Sequence, residues 1–224
     1  MRHGLLLMFC LLVAPIQALA QPAATHSGPI ERPDVRVGDW WKYRVTDGYT
    51  KLTQSISIEV TGVTESRIHT RRSVLDAQGP AAAGGRVEIW DRDWNQIMAG
   101  DTEFTPFYPA LKFPLEPGTQ WAGIVRWYSG SGTLRHQLTA QAAAWERVAV
   151  PAGSFETIRI AVRGTISETG SLNYYAQSGS ITGVIWYAPR VGQIVKKELV
   201  HRDDTPVALG ALAEQWELLE YKRN

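Results

Sequence analysis

From Trp41 onward apolar and polar residues alternate. Trp41, Tyr43 and Val45 fall on one face of an extended chain, and Lys42, Arg44 and Thr46 on the other, which is the period-two signature of a half-buried strand. Ile56, Ile58 and Val60 repeat the pattern against Ser55, Ser57, Glu59 and Thr61. Ile158, Ile160, Val162 and Ile166 repeat it against Thr157, Arg159, Arg163 and Thr165. Further strands are predicted over 68–75, 87–94, 121–128, 133–145, 181–187, 193–201 and 214–222. Turn signals separate them: Asp47-Gly48, Ser129-Gly130-Ser131-Gly132, Val150-Pro151-Ala152-Gly153, and Pro189 to Gly192. Pro151 and Gly153 occupy the positions that a β-turn favours for proline and glycine, Pro189 fixes its own φ, and Gly192 admits a positive φ.

The alternation fails between Gly100 and Gly118, where Pro106, Pro109, Pro114 and Pro117 interrupt a run of aromatic residues. Proline removes ladder donors, so no continuous central strand is predicted there. The aromatics predict instead an irregular segment lying over an apolar opening, with room for one helical turn. Residues 167–179 read as an exposed loop and 206–213 as a turn or short helix. The sum is an all-β fold of roughly ten strands with little helix. Sequential hairpins predict a strongly curved antiparallel meander, an open or half barrel.

The N-terminus changes the picture of where this domain works. Met1-Arg2-His3, a short apolar run and Ala18-Leu19-Ala20 have the layout of a secretory signal peptide cleaved after Ala20. That predicts a signal peptide over 1–20, a flexible lead-in over 21–36 and a single β domain over 37–224, exported to the periplasm. Cys10 lies inside the apolar run rather than at the cleavage point, so no lipid anchor is predicted. Without residues 1–20 the chain holds no cysteine and rests on its core alone. The whole chain has 23 basic and 22 acidic residues, and residues 1–20 contain one arginine and no acid, leaving 22 against 22. Such neutrality argues against a nucleic-acid partner; the N-terminal apolar run is too short to span a bilayer, and no second long one follows.

Three segments carry a resemblance: Phe113-Pro114-Leu115-Glu116-Pro117-Gly118-Thr119-Gln120-Trp121, then Val148 to Ile160 around Pro151-Ala152-Gly153, then Trp186-Tyr187-Ala188-Pro189-Arg190-Val191-Gly192-Gln193-Ile194-Val195-Lys196. In this order they resemble a group of exported bacterial β-proteins of unknown function, a group thought to share the open-barrel shape of the periplasmic lipoprotein-localisation factors. The resemblance implies a curved sheet around an apolar concavity. It brings no catalytic residues, because its motifs are turns and strand starts.

Candidate chemistry is sparse. His26, His69, His136 and His201 show no metal-ligand spacing, and no cofactor is predicted. No nucleophile elbow or phosphate loop is present. In a strand Asp91 and Asp93 would share a face, giving a hydrolase reading through a carboxylate pair; solvated edge charges explain these residues and Glu88 more simply. The nine Trp are the least random feature. Most are expected in the core, each burying on the order of 200 Å². The remainder, with the aromatics of the proline-rich stretch, predict a cavity lined by Trp90, Trp94, Phe107, Tyr108, Trp127 and Trp186. The sequence thus points to a non-enzymatic binding or chaperone-like module for a lipid, another hydrophobe or an apolar segment of an envelope protein. A structural or assembly component of the envelope without a ligand is the alternative.

Overall fold

A computed structural model describes residues 28–75, 85–128, 132–169, 178–203 and 213–224. The alternating segments form strands, twelve among the described residues, and no helix occurs there. They are β1 (Trp40–Asp47), β2 (Thr53–Val63), β3 (Ile68–Val74), β4 (Arg86–Trp90), β5 (Gln96–Ala99) and β6 (Thr102–Tyr108), then β7 (Gln120–Tyr128), β8 (Thr133–Val150), β9 (Gly153–Thr169), β10 (Ser178–Ala188), β11 (Gln193–Asp203) and β12 (Ala213–Lys222). Each pairs antiparallel with its neighbour in sequence, and β1 also pairs with β12, so the meander closes into a barrel.

Closure and strand number both correct the expectation of an open, ten-stranded sheet. The two strands absent from the sequence reading are β5 and β6, and these are the ones that bridge β4 to β7. β5 has four residues, too few to display a period. β6 contains Pro106, and its pairing with β7 comprises Thr105 opposite Arg126 alone. Glycine favours tight curling elsewhere. Gly164 and Gly183 lie on the adjacent strands β9 and β10, where a Cβ would stand 2.2 Å from the Gln137 and Glu198 carbonyl oxygens respectively.

Outside a charged set on β3, β4, β11 and β12, most inward residues are apolar, and most outward ones are polar. Trp41, Tyr43, Ile56, Ile58, Ile158 and Ile160 are buried, while Arg44, Glu59, Gln137 and Arg163 are exposed. This is the reverse of the apolar-out order of a lipid-embedded barrel.

The core is concentrated at the end where β1 starts and β12 finishes. Residues 109–119, between β6 and β7, lie across that end, with Leu111 and Leu115 fully buried and Phe113 packed on Tyr187 at 5.3 Å. That matches the expected apolar cover, without the helical turn. The expected lead-in is ordered from Ile30 onward. Ile30 forms a β-bridge with Leu115, Ile30 and Val35 are each 4% exposed, and Arg32 pairs with Asp93 at 2.5 Å. Two apolar side chains, the bridge and the ion pair together dock it. The β8–β9 hairpin, whose loop is Pro151-Ala152, overhangs the same end, and the Ala152 amide donates to the Leu218 carbonyl at 3.0 Å. Residues 1–20, expected as a signal peptide, the 129–131 turn, 170–177 of the expected loop and most of 206–213 lie outside the described residues, and 167–169 and 178–179 of that loop belong to β9 and β10.

Candidate binding cavity

Strand alternation places a distinct set of side chains in the half of the barrel away from the packed end. Arg86, Glu88 and Trp90 share the inner face of β4, Arg72 lies beside them on β3, and Lys197, Leu199 and His201 follow on β11. Glu214 and Trp216 come from β12, His136 from β8, Trp127 from β7, and Phe104 and Tyr108 from β6. Together they enclose a cavity of about 450 Å³, within the range of about 300–1,000 Å³ typical of small-molecule sites.

One wall is charged. Glu88, 1% exposed, accepts from Arg86 Nη2 at 2.6 Å, and its Oε1 lies 3.9 Å from Arg72 Nη1. Glu214 Oε2 accepts from Lys197 Nζ at 3.0 Å and from Trp216 Nε1 at 2.5 Å. Lys197 Nζ stands 4.0 Å from the centre of the Trp216 ring and the Arg72 guanidinium 5.0 Å from it, so two cations share one π face system. Burial draws the Lys197 pKa down, against the pull of Glu214. Burial would raise that of Glu214, but Lys197, the Trp216 N–H and Arg72 outweigh it and hold the carboxyl below its ordinary range. Burial also lowers the pKa of Arg72.

The other wall is aromatic. The His136 ring centre lies 4.3 Å from that of Trp127, 6.1 Å from Tyr108 and 5.8 Å from His201. His136 is 3% exposed, and its Nδ1 has no hydrogen-bond partner among the described residues. Burial, reinforced by His201, pushes its pKa down to about 3. Trp90 donates from Nε1 to Thr70 Oγ1 at 2.9 Å and packs on Trp94 at 5.7 Å, which packs in turn on Trp41 of the closed end at 5.4 Å.

Of the six aromatics expected at a cavity, Trp90, Trp94, Tyr108 and Trp127 line this one. Phe107 does not, because β6 is a strand whose inner face carries Phe104 and Tyr108. Trp186 is also elsewhere: its Nε1 donates to Glu146, and Lys196 Nζ lies 4.9 Å from its ring. The carboxylate pair does not form. β4 ends at Trp90, and 91–95 is a turn in which Asp91 accepts from the amides of Asp93 and Asn95 at 2.8 Å and from Asn95 Nδ2 at 3.0 Å. Asp93 is held by Arg32.

Sequence reasoning missed the charged wall and His136. Glu88 is no solvated edge charge: it sits two residues before Trp90, on the same face of one strand. The parity that placed Trp90 inside places Glu88 and Arg86 there too. Similar parity joins Lys197 to His201 and Glu214 to Trp216.

No family model matches the chain, and no curated protein does. Solved structures do. A protein of Bacteroides fragilis described as exported and YmcC-like in fold is 19% identical, with 88% of this chain and 100% of that one covered and a TM-score of 0.52. A Parabacteroides distasonis protein described as a lipoprotein matches at 15% identity over 84% of this chain and 96% of that one, with a TM-score of 0.47. The hypothetical lipoprotein YmcC of Escherichia coli matches at 8% identity over 81% and 84%, with a TM-score of 0.43. The first of these likenesses is one of fold.

Proposed function

We propose that the protein is a non-enzymatic binding module of the periplasm, exported by its N-terminal signal and holding the apolar part of a small amphiphile inside the barrel. The observation that carries this reading is the unfilled, aromatic-lined cavity. Side chains just fill a barrel of about eight strands; twelve strands make a wider one, which here is packed at its closed end and leaves room at the other. The hydrogen bonds of Asp91 within a turn and the ion pair of Asp93 with Arg32 weigh against the hydrolase reading.

The test is binding of a neutral apolar fluorophore such as N-phenyl-1-naphthylamine to the folded protein. Saturation near one per chain is expected, with Trp90→Ala weakening it several-fold and Phe107→Ala, outside the cavity, leaving it unchanged. Absence of binding, or equal weakening by both substitutions, would overturn the reading.

A further inference from the structure

The charges facing the cavity are unequal in number. Three cations, Arg72, Arg86 and Lys197, meet two carboxylates, Glu88 and Glu214. Two short pairs account for four of the five: Arg86 with Glu88 at 2.6 Å, and Lys197 with Glu214 at 3.0 Å. Arg72 is the remaining charge. Its nearest carboxylate oxygen is Glu88 Oε1 at 3.9 Å, beyond hydrogen-bond distance and already bound by Arg86. Among the described residues its guanidinium donates no hydrogen bond, although it carries five N–H groups. Its side chain is 23% exposed and lies along the cavity, with the Trp216 ring 5.0 Å away. A half-buried guanidinium with no acceptor is costly unless something supplies one.

We infer that Arg72 is the anchor for the anionic head group of the amphiphile, a carboxylate or a phosphate, whose apolar chain lies along Trp90, Phe104 and Trp127. The inference rests on the binding role proposed above and adds the chemical class of ligand. The planar fork of Arg72 suits two-point contact with either oxyanion. Lys197, beside the same indole ring, adds positive potential without surrendering Glu214. A carboxylate there brings the five-charge wall to neutrality and a phosphate carries it past neutrality, whereas a cationic head would meet the surplus positive charge.

The experiment compares four ligands of one chain length on the folded protein at neutral pH by calorimetry: dodecanoate, dodecyl phosphate, dodecanol and dodecyltrimethylammonium. Both anions are expected to bind at least about tenfold tighter than dodecanol, the scale of one charge-assisted hydrogen bond, and the ammonium weaker still. Whichever anion binds tighter identifies the head group. Arg72→Gln should remove the preference for anions and leave dodecanol affinity in place; Arg72→Lys should keep part of it. The lysine variant preserves the charge of the wall, so it tests the same point should the glutamine variant fail to fold. Equal binding of dodecanol and dodecanoate, or a full anion preference in Arg72→Gln, would overturn the assignment while sparing the binding role. Failure of all four to bind would instead remove the binding role itself.

Discussion

Gly192 closes the turn between β10 and β11 at φ +68°, where its amide donates to the Ala188 and Pro189 carbonyls at 2.9 and 3.1 Å. A side chain there is strained by the backbone alone, and its Cβ would stand 2.9 Å from the Arg223 guanidinium. Arg223 is flexible and can withdraw, so the backbone sets the cost. Gly192→Val is expected to destabilise the fold by about 1–3 kcal/mol, read as a lower urea midpoint with an unchanged slope. An unchanged midpoint would show that the turn tolerates a branched residue. The position was readable from Pro189 and Gly192 in sequence because a tight turn depends on two or three local residues. Arg72 was not readable in this way. Its significance lies in what Glu88 and Arg86, brought from another strand, leave unsatisfied.

The same contrast holds for strands. Ten could be placed from their alternation, and the register of β8 with β9 runs through Ala149 opposite Ser154 to Val150 opposite Gly153, as the Pro151-Ala152 turn requires. β5 and β6 were lost because one is too short and the other holds proline. With them went the distinction between an open and a closed barrel, since closure is a pairing of distant edges that no local pattern encodes. The two strands also mark the weak seam of the ladder. Exchange of backbone amides is expected to be fastest in Thr102–Tyr108 and slowest in the β8–β9 ladder, because β6 shares one Cα pair with β7 and β9 is paired along most of its length. Hydrogen exchange followed by mass spectrometry measures this directly. Equal protection in β6 and β9 would mean that the seam is held by contacts other than its ladder.

Across the whole molecule the lumen is bridged where His136 of β8 meets His201 of β11 and the rings of Tyr108 and Trp127, tying four strands together through one imidazole. That imidazole stays neutral in the folded barrel down to a pH of about 3, whereas in the unfolded chain it titrates near its ordinary value of about 6.5. Between these limits the unfolded chain takes up a proton that the folded one refuses, so this contribution to stability falls as pH falls. Tyr108 adds no change of charge in that window, since burial pushes its pKa up, away from it; among the described residues His201 is the other titratable group in ring contact with His136. At pH 4.5 the loss from His136 relative to pH 7 is about 2–3 kcal/mol at roughly 1.4 kcal/mol per pH unit. His136→Gln cannot take up the proton. Its stability is expected to change less between pH 7 and 4.5 than that of the wild type, by about that amount, even if it starts lower through lost ring contacts. Urea denaturation of both proteins at the two pH values decides the matter, because effects of Glu214 and the other carboxylates are common to both and cancel. Parallel losses would show that His136 is protonated inside the folded barrel, and that the lumen at this level is wet enough to hold a charge.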